Sequence, residues 1–589
     1  MIAFLKCKEM LSMKKNFFKI VLYSVGMNAV LVLVYLLFYT FKVEMPDNLA
    51  YAQFIAEGDY TFDYMDFFIS AGIGLLQKLI YPINAFVIAH FAFSFFSFCV
   101  ILIVFIDKLN YSIGTIVSLV IISFFAISHY GNLSFTRDAA LFCIAGFLLI
   151  QHFYNKSHYL AASIIGVLLV FVGSQYRFLV FIVCAFMFAI FVIMDSLAMM
   201  NTGSIKTKMI KGTKILFERK RFIALIVLMG ICVAMHFASI AVNTSTPELA
   251  YYREYTYARQ AVYDYPIPDY IECSKEYDRI GFDQNDIDMN RSWYLDDGGA
   301  FTLDNLKELK VIRDNYSAKN KNFASLLSLM ITEELSNAKA LGDKGVALLG
   351  YIPIVLIYLI LMKKRYYYIP AIFSLTIFGF YLYLWNTDRN PPFRAVYMLW
   401  LFSYVFLLYS FRGDRIKEVW KKRRTNFKMW ILVVSVAMLS MVGFYLSTVA
   451  NFGTSVYGKN DYSVFGIQRD NGDEKRIFDF NNTYYKYTNT MRHMKEFGTN
   501  NMYMNLLNEN VYFICDAEYD DSEMMRRYLT KYYGAGSEID CQKKEEINGN
   551  KFLSDYLKQY NTEKFELSRK VSLTSNASFI VYKYNVHGI

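Results

Sequence analysis

This sequence predicts an α-helical, polytopic membrane protein of about eleven transmembrane helices, with a large external loop and a small external α/β domain near the C-terminal end. Three observations predict it. Apolar stretches of about 20 residues recur along the chain as far as residue 450. Hydrophobic residues make up 55% of the 589 and charged residues only 19%, below the roughly 25% of a soluble chain. Lysines and arginines between the stretches cluster in alternate connections. With 9 Pro, 30 Gly and 8 Cys, the chain is neither a disordered polymer, a collagen-like fibre nor a small disulfide scaffold. The formal charge of +10 is placed by that alternation and does not imply a nucleic-acid partner.

The first apolar run, 17–41, follows Lys14, Lys15 and Lys19. It is too long for a signal-peptide core and lacks a small-residue cleavage site, which predicts an uncleaved span. Further candidate spans lie at 84–106, 111–130, 139–154, 159–175, 178–196, 222–242, 345–362, 366–386, 395–411 and 428–450. Lys6 to Lys19, the seven Lys/Arg from Lys206 to Arg221, Lys363-Lys364-Arg365 and the run from Arg412 to Lys428 then fall on one side. The positive-inside bias makes that side cytoplasmic and puts the N-terminus inside. Residues 1–450 form the membrane domain and 451–589 an extracytoplasmic α/β domain.

External loop 42–83 carries Glu44, Asp47, Asp59, Asp63 and Asp66. A helix is expected to start at Pro46-Asp47, with Leu49, Phe54 and Ile55 on one face, and Phe67 to Tyr81 is apolar enough to lie in the membrane interface. The long loop 243–344 predicts a helix in the Tyr-rich stretch Tyr251 to Tyr265, a polar middle with Asp283, Asp286 and Asp288, and an amphipathic helix around Phe323 to Ala340, together a cap over the outer face. In the tail, Asn510 to Cys515 and Phe579 to Lys583 read as strands and Ser522 to Tyr533 as a helix. Cys99, Cys143, Cys184 and Cys232 are expected as small buried hydrophobes; whether Cys515 and Cys541 form a disulfide stays open.

Candidate chemistry sits where charge meets membrane, because an ionised group at depth needs a partner or a cavity. The short outer segments carry Arg137-Asp138, Arg177, Asp388-Arg389 and Arg394 beside the first-loop acids Asp47, Asp63 and Asp66. Outer arginines run against the positive-inside bias, and their planar forks of donors suit phosphate. A carboxylate at the outer end of the first span has the position of a general base for an incoming hydroxyl, and Asp47 is the candidate. With cations stabilising a departing phosphate, the reaction class is glycosyl transfer by displacement at a sugar carbon. Plainer readings stand beside these: Asp47 caps a helix, Arg137-Asp138 is a local ion pair, and Arg177, Arg389 and Arg394 contact lipid headgroups. His90, His129, His152 and His236 lack metal-ligand spacing and are expected to be structural. The absence of a GxxxxGK[ST] run, a dinucleotide glycine fingerprint and an HExxH motif argues against nucleotide-driven, dinucleotide and zinc-protease chemistry.

Four passages carry a family resemblance: Met45-Pro46-Asp47-Asn48-Leu49-Ala50-Tyr51, Asn132-Leu133-Ser134-Phe135-Thr136-Arg137-Asp138, Ser174-Gln175-Tyr176-Arg177 and Asp388-Arg389-Asn390-Pro391-Pro392-Phe393-Arg394. With this layout the chain resembles the multi-spanning GT-C glycosyltransferases, which include protein O-mannosyltransferases, aminoarabinose transferases and bacterial surface-glycan glucosyltransferases. The resemblance covers the membrane half and not the tail. It implies a polyprenyl-phosphate sugar donor on the outer face, a glycan or lipid acceptor, and Asp47 as base with Asp138 as a second catalytic acid. Arg137, Arg177, Arg389 and Arg394 become donor-phosphate contacts; Asp63, Asp66 and Asp388 remain substrate-binding candidates. Many relatives have two adjacent acids where this chain has Asp47-Asn48, so a divalent cation, Mg or Mn, is only a candidate cofactor. A polysaccharide polymerase or ligase, a lipid-linked oligosaccharide flippase and a membrane-tethered glycan-binding protein are the alternatives.

Overall fold

The computed structural model describes residues 2–38, 42–43, 48, 51–52, 55, 58, 60–62, 64–80, 83–154, 160–199, 220–263, 265–291, 300–320, 322–339, 343–386, 391–411, 468–470, 474–476, 504–507, 510–516, 531, 539–542, 570–574 and 577–586. Helix α1 (Ile2–Phe38) leads to a short strand β1 (Lys42–Val43) and helix α2 (Phe67–Ile80). Then come α3 (Ala85–Leu109), α4 (Tyr111–Phe125), α5 (Ile127–Tyr130), strand β2 (Asn132–Leu133), α6 (Phe135–Tyr154), α7 (Leu160–Tyr176), α8 (Phe178–Met199) and α9 (Lys220–Asn243). The long loop folds as α10 (Pro247–Tyr263), α11 (Ser274–Arg279), α12 (Gln284–Arg291), α13 (Leu303–Asn320) and α14 (Phe323–Lys339). The bundle resumes with α15 (Asp343–Leu361), α16 (Tyr368–Trp385) and α17 (Phe393–Tyr409).

Helices therefore stand at every candidate span up to residue 411, and the candidate at 428–450 lies outside the described residues. Among the described residues, six helices are long and apolar enough to cross a membrane, in α1, α3, α8, α9, α15 and α16. The protein is a multi-pass membrane protein. Apolar helices α4, at 15 residues, and α17, at 17, are shorter than the roughly 20 residues a straight crossing needs. Helix α4 is continued by α5 beyond Ala126, while α17 is buried along nearly all its length.

Helix α6 is the central element. Residues Ala139 through Leu149 are buried on every side, as expected of a helix that is apolar all round. Its seam with α7 is built from small residues. A Cβ added at Gly146 would stand 2.5 Å from the Gly166 carbonyl oxygen and 2.7 Å from Val170 Cγ2. One added at Gly173 would stand 2.5 Å from Cys143 Sγ and 2.8 Å from the Ala139 carbonyl. Backbones that approach this closely pack by dispersion where lipid gives no hydrophobic driving force.

The first loop is tied to the start of α6. Strand β1 pairs in parallel with β2, Lys42 opposite Asn132 and Val43 opposite Leu133. Asn48 is buried and its Oδ1 accepts from the Phe135 backbone N at 2.8 Å, so a residue 87 positions upstream satisfies a free donor in the first turn of α6. Of the helix expected from Pro46, residues Asn48, Tyr51, Ala52 and Ile55 are helical and buried; Pro46, Asp47, Leu49 and Phe54 lie outside the described residues. Helix α2 buries Ser70, Ile73, Gly74 and Gln77 and exposes Leu75 and Leu79, as an interfacial helix should.

In the tail, strands Met504–Leu507, Asn510–Asp516, Ile539–Gln542, Lys570–Thr574 and Ala577–Val586 form an antiparallel sheet around the last of them. The two expected strands are both present; the expected helix is described only at Lys531. Cys515 is opposite Ile580 and Cys541 opposite Tyr584, on strands that flank the last strand. Lys531 Nζ donates to the Gly281 carbonyl at 2.9 Å, Asp283 Oδ2 at 2.8 Å and Asp286 Oδ2 at 2.6 Å, fastening the tail to the long loop.

Gly146→Leu or Gly166→Leu is expected to cost about 1–3 kcal/mol by forcing the α6–α7 seam apart. Thermal unfolding of the purified protein in lipid nanodiscs checks this, and Gly379→Leu, where an added Cβ meets nothing within 4 Å, is the control.

Candidate functional site

Asn84 caps α3 through its side chain, which accepts from the Val87 backbone N at 3.3 Å and fixes the angle at which this helix enters the bundle. One turn further, His90 and Ser94 stand at i and i+4 on the face turned to α6. There, Asp138 Oδ2 accepts from His90 Nδ1 at 2.8 Å and Oδ1 from Ser94 Oγ at 3.1 Å. His129 of α5 brings its Nδ1 to the same carboxylate, and its Nε2 meets the hydroxyl of Tyr397 on α17. The carboxylate, both imidazoles and the phenol are all buried. With the carboxylate ionised, each imidazole donates from Nδ1, and Nε2 of His129 accepts the Tyr397 hydroxyl. Beside it, Arg137 is buried and donates from Nη2 to the Asn132 carbonyl at 3.0 Å.

A second centre forms where the first loop meets α9. His236, Ser239 and Asn243 share one face of α9 and hold residues 62–67. Asn243 Nδ2 donates to the Phe62 carbonyl at 2.8 Å, Ser239 Oγ accepts from the Phe67 backbone N, and His236 Nδ1 donates to Asp66 Oδ1 at 2.8 Å. The His236 ring lies flat on Phe178, centroids 3.9 Å apart and planes 6° from parallel. Asp66 also donates from its backbone N to the Gln175 carbonyl at 2.9 Å. Burial pushes the Asp66 carboxyl above the ordinary range for an aspartate, against the downward pull of its His236 bond.

The segment Gln175-Tyr176-Arg177 joins the two centres. Gln175 holds Asp66 through its carbonyl, and Tyr176 sets its ring edge-on to His90, centroids 4.5 Å apart. The Arg177 guanidinium stands 3.9 Å over the Tyr64 ring and 5.5 Å from the ring of Phe135, the first residue of α6. No carboxylate pairs with Arg177 among the described residues. Its partners are aromatic faces, which hold a cation while leaving its edge donors available.

Of the residues singled out from sequence, Asp66, Arg137, Asp138 and Arg177 thus come together at one end of the bundle. Arg394 opens α17 one turn ahead of Tyr397, at the same end. Asp47, Asp63, Asp388 and Arg389 lie outside the described residues, flanked by described ones: Asn48 next to Asp47, Tyr64 next to Asp63. The histidines expected to be structural carry more than packing, since His90, His129 and His236 each engage an aspartate of the site and His152 Nε2 meets Asp107 Oδ2 at 2.7 Å. Sequence held a usable signal: an imidazole in a span needs a partner as much as a carboxylate does. Among the described residues no three His, Cys, Asp or Glu side chains gather to hold a metal ion. Asp138 in particular spends both oxygens on Ser94 and the two histidines, so this carboxylate does not fit a cation site.

Two solved structures align with the chain. ArnT from Cupriavidus metallidurans bound to undecaprenyl phosphate does so at 11% identity and a TM-score of 0.30, over 66% of this chain and 77% of that one. The same protein in the apo state gives 10% identity and a TM-score of 0.27, over 69% and 77%. No protein-family model and no curated protein matches. Functional assignment accordingly rests on the residues of this chain.

Replacing Asp138 by Ala strands two imidazoles and a hydroxyl in the interior and is expected to destabilise the protein by about 3–5 kcal/mol. Thermal unfolding in nanodiscs measures it; Asp138→Ala melting with the wild type would show that the carboxylate is not what holds these helices.

Proposed function

We propose that the chain is a glycosyltransferase of the GT-C kind, which moves a sugar from a polyprenyl-phosphate carrier to a cell-surface glycan or lipid acceptor at the outer face of the plasma membrane. The observation that carries the reading is Arg177: a guanidinium held on aromatic faces, without a carboxylate partner among the described residues, between two histidine-bound aspartates. A cation so placed suits an anion brought from outside, and a planar fork suits phosphate.

In the proposed reaction the donor is a phosphodiester with one negative charge. When the bond from sugar carbon to phosphate oxygen breaks, a second charge develops on the phosphate. Arg177 is assigned to that charge, with Arg137, Arg389 and Arg394 as further donor-phosphate contacts. Asp47 is assigned as the base that takes the proton of the acceptor hydroxyl. Support comes from Asn48, whose hydrogen bond ties the neighbouring position to the N-terminal turn of α6, beside Arg137 and Asp138. Asp138 is buried, so its catalytic role is assigned through His129 and Tyr397, which connect it to the first turns of α17. Asp63, Asp66 and Asp388 are assigned to substrate binding. The carrier's hydrocarbon tail stays among the spans, which fixes the reacting carbon in the plane of the headgroups and limits water. No step is assigned to a divalent cation.

Incubating the purified protein with a panel of polyprenyl-phosphate sugars and membrane-derived acceptors, with mass analysis of the products, tests the proposal. Transfer from at least one donor is expected; transfer from none rejects it. With the active donor, Asp47→Asn is expected to lower kcat by about 10²–10⁴-fold. Arg177→Ala is expected to lower kcat/KM for the donor about 10- to 100-fold, mainly through kcat, by loss of charged hydrogen bonds to the developing charge. An Asp47→Asn protein with full activity removes the base assignment alone.

A further inference from the structure

We infer that His236, backed by Asp66, is the group that donates a proton to the departing phosphate; the inference rests on the transfer reading above. Four observations place an imidazole of this kind at the mouth. Its Nδ1 is engaged by a carboxylate at 2.8 Å that is itself almost wholly buried, which fixes the tautomer and steadies the imidazolium. Its ring lies flat on Phe178, which together with the Asp66 bond orients it. The side chain is 21% exposed, and Nε2 has no partner among the described residues. Finally, Phe178, on which the His236 ring lies, directly follows Arg177 in the chain, and the Asp66 carboxylate that backs the imidazole is within range of the Arg253 charge.

An Asp–His pair whose Nε2 has no partner among the described residues, with the Arg253 charge within range of its carboxylate, fits an anion that gains charge during reaction. The leaving phosphate gains a second negative charge and with it a proton-accepting oxygen, to which an imidazolium Nε2–H is a suitable donor. The sugar carbon–oxygen bond breaks with its electron pair going to the phosphate. The acceptor oxygen forms the new bond to carbon and gives its proton to Asp47. The Nε2 proton passes to a phosphate oxygen, leaving neutral imidazole with its Nδ1–H still on Asp66, and solvent at the exposed edge restores the lost proton. Other charged or titratable groups around the pair are Arg253 of α10, whose charge reaches Asp66, and Cys232 on the preceding turn of α9, which lies within range of the Asp66 charge.

The test uses the full-length protein in nanodiscs. Binding of a polyprenyl monophosphate is measured by calorimetry for the wild type and His236→Gln. The wild type is expected to bind about 10-fold tighter than the variant through the charged hydrogen bond that the variant loses. With the active donor, His236→Gln and Asp66→Asn are expected to lower kcat by about 10²-fold or more with little change in donor KM. In the wild type, where folding is not in question, ¹⁵N-histidine spectra are expected to show the His236 nitrogens shifting when polyprenyl monophosphate is added. Unmoved His236 resonances, or equal affinities of wild type and His236→Gln, overturn the inference. Absence of turnover from every donor overturns the transfer reading instead, and the binding and spectral results then stand as a phosphate site only.

Discussion

Everything in the membrane half is organised around the need to keep one carboxylate satisfied away from water. Asp138 is buried inside the bundle, where an unpaired charge costs several kcal/mol. Its two oxygens recruit Ser94 and His90 from α3 and His129 from α5, and His129 brings in Tyr397 of α17. A single charge thereby fixes the relative height and rotation of four helices. The small-residue seam between α6 and α7 then lets α7 approach closely enough for Tyr176 to pack against His90.

The same pairing of aspartate with histidine recurs where polar groups enter the bundle. Asp66 with His236 closes the first loop against α9, and Asp107 with His152 does so at the opposite end of α3 and α6. Near that second pair, Gln151 Nε2 donates to Asp195 Oδ2 at 3.1 Å, and the Lys108 ammonium sits 3.5 Å over the Tyr409 ring. The bundle thus has a polar layer at each end and an apolar middle. Among the described residues, only the layer with Arg177 combines a partly exposed imidazole with a guanidinium that lacks a carboxylate partner, and the proposed site is drawn from that asymmetry.

The helices were readable because their signal is local. A run of apolar residues ended by Lys, Asn or Gly is enough to mark a span, and the short runs read at 139–154 and 159–175 emerged as Phe135–Tyr154 and Leu160–Tyr176. The Tyr-rich and amphipathic stretches of the long loop also appeared as helices, at Pro247–Tyr263 and Phe323–Lys339, whereas Leu303–Asn320 was missed because its apolar residues make no strong stripe. Arg177 and Asp138 were legible as charges out of place. What they touch was not: His90 lies 48 residues and His129 9 residues from Asp138, and His236 lies 170 from Asp66.

Composition and periodicity by themselves determined that the chain lives in a membrane, where its helices run, and that arginines and aspartates gather in short connections between them. Those properties follow from the transfer of apolar and charged groups between water and hydrocarbon, which each stretch of sequence expresses on its own. Only the tertiary structure decided which carboxylate is sealed behind histidines, which imidazole keeps a free edge, and which guanidinium meets rings instead of acid. Those outcomes depend on how helices distant in sequence rotate and slide against each other to satisfy every buried polar atom, and no local stretch contains that information.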